Sequence, residues 1–246
     1  MLDKIIKLGI SKREAEELLN ISNNIEEDYK KLLLNYPIQY LIGYVNFYGN
    51  KINVNNSVLI PRYETEYLVE KTIQYSKKNF NKKINILDLC TGSGAIGISL
   101  KKEIYCDVTI SDISKDALEV AKKNCKENNV DIKIIESDLL ENINDKFDIV
   151  ISNPPYINKK MKIMDSVYNY EPHLALFADE EGTYYYRKIF EKVKNNLKEE
   201  YILAFEIGYE QKDILNSLAN KYFSNCKIHF EKDLNNKYRY LFIINE

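Results

Sequence analysis

With 246 residues, of which 45% are hydrophobic, the chain is long enough to bury the core of one large domain and a small additional one. Its 35 Lys and Arg residues are balanced by 37 Asp and Glu residues, so no positive excess favours phosphate backbones, and stable nucleic-acid binding is not expected. The N-terminus is charged throughout and no apolar stretch is long enough to cross a bilayer, so we expect neither a signal peptide nor a membrane span. The sequence therefore predicts a cytoplasmic protein.

Cysteine and histidine are too few and too scattered to indicate a metal site or a disulfide framework. No two cysteines form a C-x-x-C pair, and the chain has only two histidines. We therefore expect no metal cofactor. The residues concerned are Cys90, Cys106, Cys125, Cys226, His173 and His229.

The N-terminal segment, residues 1–37, has the pattern of short helices. Ser11 and Glu14 form a capping box ahead of a helix over residues 11–19, and a second helix is predicted over 26–34 and ended by Pro37. A tight hairpin is predicted in the linker that follows, residues 38–62. Its strands cover residues 44–48 and 51–54, and its turn is Gly49-Asn50. A longer helix is predicted over residues 63–77, at the start of the main domain, residues 63–246.

From residue 84 onwards the pattern alternates between strands and helices, which is typical of an α/β fold with a parallel sheet. Strands are predicted at 84–89, 107–111, 131–135, 147–152, 201–207, 227–231 and 239–244. Helices are predicted at 94–101, 114–127, 182–196 and 211–222. The last two strands are joined by a segment too short for a helical crossover, so they should pair antiparallel. Residues 153–181 are predicted as a substrate-facing loop, and the run Tyr184-Tyr185-Tyr186 as packing.

A glycine-rich loop follows the first predicted strand of this region. Gly92, Gly94 and Gly97 match the G-x-G-x-x-G pattern of dinucleotide-binding loops, and Asp112 follows about twenty residues later, where an acid can bind a ribose diol. This pattern alone is as compatible with NAD as with other adenosine cofactors. Asp88, just before the loop, would repel a pyrophosphate, so it is expected either to face a cationic ligand or to brace the loop.

The sequence Asn153-Pro154-Pro155-Tyr156 ends the fourth strand of the region. Two successive prolines cannot donate ladder hydrogen bonds, so the chain must leave the sheet in a stiff, extended loop. Such a loop can hold a planar NH₂ group between two carbonyl acceptors and an aromatic face, although a rigid turn with a packed tyrosine is the alternative. Together with the glycine-rich loop, it favours S-adenosylmethionine and an NH₂ acceptor.

These motifs resemble the release factor glutamine methyltransferases of the PrmC/HemK type, which belong to the class I S-adenosylmethionine-dependent methyltransferases. The resemblance runs from about residue 39 to the C-terminus, and the segment Ile60-Pro61-Arg62 is its most restrictive part. The stretches that carry it are Gln39 to Gly43, Phe47-Tyr48-Gly49, Leu59 to Glu66, Asp88 to Gly97, Ser137-Asp138, Asn153 to Ile157, Tyr170-Glu171-Pro172 and Glu206-Ile207-Gly208.

The resemblance implies a seven-stranded, Rossmann-like class I methyltransferase sheet with an antiparallel last strand. It implies methylation of the glutamine in the Gly-Gly-Gln motif of class I peptide chain release factors. The implied cofactor-binding residues are Cys90, Thr91, Gly92, Ser93, Gly94, Asp112, Asp138, Leu139 and Asn153. The implied catalytic residues are Asn153, Pro154 and Tyr156, and the implied substrate-binding residues are Asn153, Pro154, Pro155 and Tyr156.

The sequence departs from the family pattern in two places. Cys90 stands where the wider fold pattern has glycine, and the helical segment before Gln39, expected to dock the protein substrate, is shorter than in the family. A monomer is expected. The alternative functions are a ribosomal-protein glutamine methyltransferase, a nucleic-acid amine (adenine N6) methyltransferase, an NAD-dependent oxidoreductase and a non-catalytic cofactor-binding scaffold.

Overall fold

The computed structural model describes residues 1–245 and begins with four short helices. They are α1 (Leu2–Ile6), α2 (Lys12–Ile21), α3 (Ile25–Leu33) and α4 (Ile38–Ile42). The predicted capping box is confirmed, since the Ser11 hydroxyl accepts a hydrogen bond from the Glu14 N–H and donates one to the Glu14 carboxylate. Helices α1 and α4 were not predicted. The four helices share a small apolar core that includes Ile5, Leu18, Leu32 and Ile42.

A hairpin of β1 (Tyr44–Phe47) and β2 (Asn50–Asn53) connects these helices to the main domain. The hairpin is confirmed, but the turn lies one residue earlier than predicted. Its central residues are Tyr48 and Gly49, with φ of 47° and 75°. Two successive positive φ angles match the turn that suits the twist of a hairpin. Helix α5 (Tyr63–Asn79) follows.

The main domain is a seven-stranded sheet with helices on both faces. Its strands are β3 (Ile84–Leu89), β4 (Cys106–Asp112), β5 (Lys133–Glu136), β6 (Phe147–Ser152), β9 (Leu197–Glu206), β10 (Lys227–Lys232) and β11 (Tyr238–Asn245), in the spatial order β10-β11-β9-β6-β3-β4-β5. Strand β11 pairs antiparallel with both neighbours, and the other pairs are parallel, as predicted.

The helices of the sheet region are α6 (Ala95–Glu103), α7 (Lys115–Glu127), α9 (Tyr184–Lys192) and α10 (Lys212–Tyr222). The predicted helix over 182–196 is shorter in the structure, because its two ends form separate 3₁₀ turns at Glu180–Gly182 and Val193–Asn196. The segment 153–181, predicted as a loop, also contains short strands and a helix. It contains β7 (Ile157–Asn158), β8 (Phe177–Ala178) and α8 (Asp165–Tyr170).

Alternating side chains of the strands build two apolar layers. Ile86 and Ile149 face the layer that includes α5, α6 and α7, whereas Leu87 and Val150 face the layer that includes α9 and α10. Burial on both faces explains why the central strands read as continuous apolar runs. Within residues 1–245, no helix has both the length and the apolar character that a membrane crossing requires.

The carboxyl ends of the central strands meet at one edge of the sheet. Leu89 of β3 lies opposite Ser111 of β4 and Ser152 of β6, and Ser152 lies opposite Phe205 of β9. The glycine-rich loop, Asp112, the Asn153 motif and the end of β9 therefore leave the sheet side by side. Ligands of open α/β sheets bind at such an edge.

Candidate active site

A cavity of about 250 Å³ opens at this edge of the sheet. Its lining includes most of the predicted site residues, namely Cys90, Thr91, Gly92, Ser93, Asp112, Asp138, Leu139, Asn153 and Pro155. Gly94, Pro154 and Tyr156 lie outside the set of lining residues. Gly94 instead begins helix α6 with a φ of 82°. Nine of the residues singled out from the sequence therefore meet at one cavity, and the other three lie outside its lining.

The loop after β3 adopts backbone conformations that suit glycine. Cys90 and Gly92 have φ of 60° and 54°, in the left-handed region. Cys90 therefore occupies a conformation for which the glycine of the wider fold pattern is better suited. Burial raises the pKa of the Cys90 thiol, so the thiol stays protonated at neutral pH and is a weak nucleophile.

Asp88 braces this loop. Its Oδ2 accepts hydrogen bonds from the Thr91 hydroxyl and from the Gly97 N–H, at 2.9 Å for the latter. The side chain is fully buried and is outside the cavity lining, so of its two expected roles the structure supports the bracing one. Burial raises the pKa of Asp88 to about 7. Gly97 is needed for close packing, since a Cβ there would lie 2.5 Å from Ile110 Cγ2.

Asp112 lies at the end of β4 with its carboxylate held by backbone groups. Oδ2 accepts from the Gly92 N–H and Oδ1 accepts from the Ser114 N–H, each at 2.9 Å. Burial raises the pKa of this carboxyl. A carboxylate has about four acceptor positions, so both oxygens keep capacity for further donors such as a ribose diol. Ile113 and Leu139, which also line the cavity, provide apolar surface for a planar ring. The carboxylate and this apolar surface together fit an adenosine group.

Asn153 links the cavity to a buried hydrogen-bond network. Its Nδ2 donates to Thr65 Oγ1 at 3.2 Å, and the Thr65 hydroxyl donates to Glu206 Oε2 at 2.6 Å. The Tyr156 hydroxyl donates to Glu206 Oε1 at 3.1 Å. The Tyr156 ring packs against the apolar layer that includes α9 and α10. One buried carboxylate, Glu206, therefore holds both ends of the Asn153-to-Tyr156 motif.

The restrictive Ile60-Pro61-Arg62 segment is fastened to the connection after β6. The buried Glu171 carboxylate accepts a hydrogen bond from the Ile60 N–H at 3.1 Å and pairs with the Arg62 guanidinium. Arg62, Pro61 and Pro172 all line the cavity. The ion pair therefore joins two segments, 109 residues apart in sequence, into one wall of the site.

The run of three tyrosines does not act as one unit. Tyr184 and Tyr185 line the cavity, and their rings also pack against each other edge to face. Tyr186 is fully buried and donates to the Glu206 carbonyl at 2.6 Å, as a packing residue would. The period of α9 explains the difference, because consecutive helical residues point about 100° apart.

Gln211 is a second residue that the sequence did not single out. Its Nε2 donates to the Tyr156 carbonyl at 2.9 Å, and its Oε1 accepts from the Gly208 N–H at 2.8 Å. Gly182 lies against the same carbonyl, and a Cβ at Gly182 would come within 2.1 Å of it. Gln211 and Gly182 therefore hold the end of the Tyr156 motif in place. The only signal in the sequence was that Gln211 is a polar residue shortly after the end of β9.

Solved structures of methyltransferases share this fold. A methyltransferase from Pyrococcus furiosus matches with a TM-score of 0.60 at 15% identity, over 89% of this chain and 98% of that one. The 16S rRNA N2 G1207 methyltransferase of T. thermophilus, solved with AdoMet and guanosine, matches with a TM-score of 0.58 at 16% identity, over 82% and 50% of the two chains. At these identities the likeness shows the fold.

Sequence comparison identifies the family. Residues 65–169 match the model of the methyltransferase small domain. The release factor glutamine methyltransferase of Streptococcus pneumoniae is 40% identical over 212 residues, which cover 85% of this chain and 75% of that protein. The corresponding protein of Bacillus cereus is 35% identical over 240 residues, covering 92% and 85%. The predicted resemblance is confirmed, and the chain belongs to the release factor glutamine methyltransferase family of S-adenosylmethionine-dependent enzymes.

Proposed function

We propose that this enzyme methylates the side-chain amide nitrogen of the glutamine in the Gly-Gly-Gln motif of class I peptide chain release factors. The observation that carries the proposal is the orientation of Asn153. Its NH₂ group is committed to Thr65, so its carbonyl oxygen is the free acceptor at a cavity that also contains Asp112 and the glycine-rich loop. An acceptor at this position suits a substrate NH₂ group.

The cofactor is S-adenosylmethionine, which supplies an electrophilic methyl group on a sulfonium. We assign the ribose hydroxyls to Asp112 and the adenine to Leu139, with Asp138 near the adenine amino group. The loop residues Cys90, Thr91, Gly92 and Ser93, which line the cavity, and Gly94, which begins α6, would surround the remainder. Asn153 would touch both cofactor and substrate.

The residues of the Asn153-to-Tyr156 motif would act mainly by orienting the substrate amide. An amide nitrogen is a poor nucleophile because its lone pair is delocalised into the carbonyl. Asn153 Oδ1 and the Pro154 carbonyl would each accept one amide hydrogen, which holds the nitrogen for in-line attack and stabilises the positive charge that develops on it. After transfer the nitrogen is acidic, so one of its protons leaves to solvent without a strong base. Pro155 would complete the slot from the cavity wall, and Tyr156, whose ring packs in the apolar layer outside the lining, would hold the motif in place.

The domain roles are also proposals. We propose that residues 1–37 dock the protein substrate, that residues 38–62 link this segment to the catalytic domain, and that residues 63–246 carry cofactor and chemistry. The ion pair between Arg62 and Glu171 supports this arrangement, because it fixes the linker to the cavity wall. We further propose a cytoplasmic monomer without stable nucleic-acid binding, and size-exclusion chromatography tests the oligomeric state.

The experiment offers labelled S-adenosylmethionine and three acceptors in parallel reactions. The acceptors are a class I release factor, a ribosomal protein and DNA, and mass spectrometry locates the methyl group. We expect it on the glutamine of the Gly-Gly-Gln motif, and a release factor with alanine at that glutamine is the control. Methyl transfer only to the ribosomal protein or to DNA would overturn the proposal.

A further inference from the structure

A buried carboxylate lies behind the acceptor site and has no part in the chemistry described so far. Glu206 ends β9, next to the strand that leads into Asn153, and its side chain is almost fully buried. Its two oxygens accept hydrogen bonds from the hydroxyls of Thr65, at 2.6 Å, and Tyr156, at 3.1 Å. The positive charge of Arg239 acts on the same carboxylate.

The chemistry of these groups fixes the direction of every hydrogen bond in the network. Burial raises the pKa of Glu206, while the hydroxyl donors Thr65 and Tyr156 and the charge of Arg239 favour its ionised form. The ionised carboxylate only accepts, so in that form the single Thr65 hydroxyl hydrogen must point at Glu206. The Thr65 oxygen can then only accept, which forces Asn153 to present its NH₂ end to Thr65 at 3.2 Å. The carbonyl end of the Asn153 amide is thereby turned away from Thr65.

We propose that Glu206 and Thr65 are positioning residues that determine which end of the Asn153 amide faces the substrate. The inference rests on the proposed methylation of an amide NH₂ group. If the Asn153 amide were flipped, its own NH₂ group would oppose the NH₂ group of the substrate, so two donors would meet and the acceptor would be lost. Glu206 acts through Thr65 and touches neither cofactor nor substrate.

Thr65→Val tests the network because it removes the hydroxyl and keeps the side-chain shape. Its single-turnover rate should fall about tenfold or more, the kinetic equivalent of about one hydrogen bond, with little change in cofactor affinity. Thr65→Ser keeps the hydroxyl and should recover most of the rate. Thr72→Val is the matched control, since Thr72 is a buried threonine of the same helix whose hydroxyl donates only to the Leu68 carbonyl, at 2.7 Å.

A double-mutant cycle separates positioning from general destabilisation. If Thr65 acts through Asn153, Thr65→Val should cost nothing further in an Asn153→Ala enzyme. The same fold-loss in both backgrounds would overturn the proposal. Thr65→Ala takes the place of the valine variant in the cycle if the latter does not fold.

A second readout needs no catalysis, so it separates failure of this inference from failure of the proposed function. The side-chain NH₂ signal of Asn153 in ¹⁵N-labelled protein is assigned by its loss in Asn153→Ala. In Thr65→Val, one of its two protons should shift upfield because its hydrogen bond is lost, whereas Thr72→Val should leave the signal in place. An unmoved signal in Thr65→Val would refute the network even if the enzyme methylates its expected substrate.

Discussion

Gly182 offers a sharp test of how the Asn153-to-Tyr156 motif is held. Gly182 has a φ of 85°, and a Cβ at this position would lie 2.1 Å from the Tyr156 carbonyl oxygen and 2.3 Å from Gln211 Nε2. Neither neighbour is the end of a freely moving chain, because the two are hydrogen-bonded to each other at 2.9 Å. Gly182→Ala must therefore displace the motif or break this bond.

The expected magnitude follows from comparison with Gly43→Ala. Gly43 has almost the same φ, 82°, but a Cβ there would meet no atom within 4 Å. Both variants pay the same cost of about 1–2 kcal/mol for a left-handed alanine. In Gly182→Ala, overpacking lowers the free energy of unfolding by about a further 1–3 kcal/mol, and the lost hydrogen bond by about 1 kcal/mol. The free energy of unfolding should therefore fall about 2–4 kcal/mol further in Gly182→Ala than in Gly43→Ala.

Urea unfolding followed by circular dichroism measures both free energies, and methyl-transfer assays measure the effect on the site. We expect Gly182→Ala to lose activity as well as stability, because the Tyr156 carbonyl is part of the motif that forms the slot. Gly43→Ala should lose stability alone. Equal losses of stability in the two variants would show that the contact with Tyr156 does not constrain the motif.

Three further predictions concern the remaining charged groups. Asp112→Ala should raise the Kd for S-adenosylmethionine about 100-fold, since two hydrogen bonds to a carboxylate are lost; an unaltered Kd by calorimetry would place the ribose elsewhere. Arg62→Met should lower the free energy of unfolding by about 1–3 kcal/mol, because it leaves the Glu171 carboxylate buried without its partner. Adding Glu171→Gln should recover part of that loss, and no recovery in urea unfolding would argue against the ion pair. Because burial raises the pKa of Asp88 to about 7, the folded protein retains a proton that the unfolded chain releases, so stability falls as pH rises towards 7. Between pH 5 and 7 the wild type should lose about 2–3 kcal/mol more than Asp88→Asn, and parallel pH profiles would contradict the raised pKa.

The sequence was most informative where structure is local. The apolar runs at Ile84–Leu89 and Phe147–Ser152 matched the structure at both ends, because each is a buried central strand that ends at a distinct polar or glycine-rich motif. The capping box at Ser11 likewise depends on residues three apart. By contrast, the short helices α1 and α4 have too few turns to show a clear period.

Long-range contacts could not be predicted in the same way. Thr65 and Glu206 are separated by 141 residues, and Ile60 and Glu171 by 111, so no local pattern pairs them. Their partners are determined by how α5 and the connection after β6 pack on the sheet. The resemblance indicated the segments that contain these residues, but their roles as supports of the cavity required the structure.

The most direct test of the central claim is the single-turnover rate of Asn153→Ala with saturating S-adenosylmethionine and release factor. If the Asn153 carbonyl is a preorganised acceptor of a substrate NH₂ hydrogen, the rate of glutamine methylation should fall about 10²- to 10³-fold, with a much smaller change in the Kd for the cofactor. An unchanged rate of methyl transfer in this variant would show that Asn153 does not act as that acceptor.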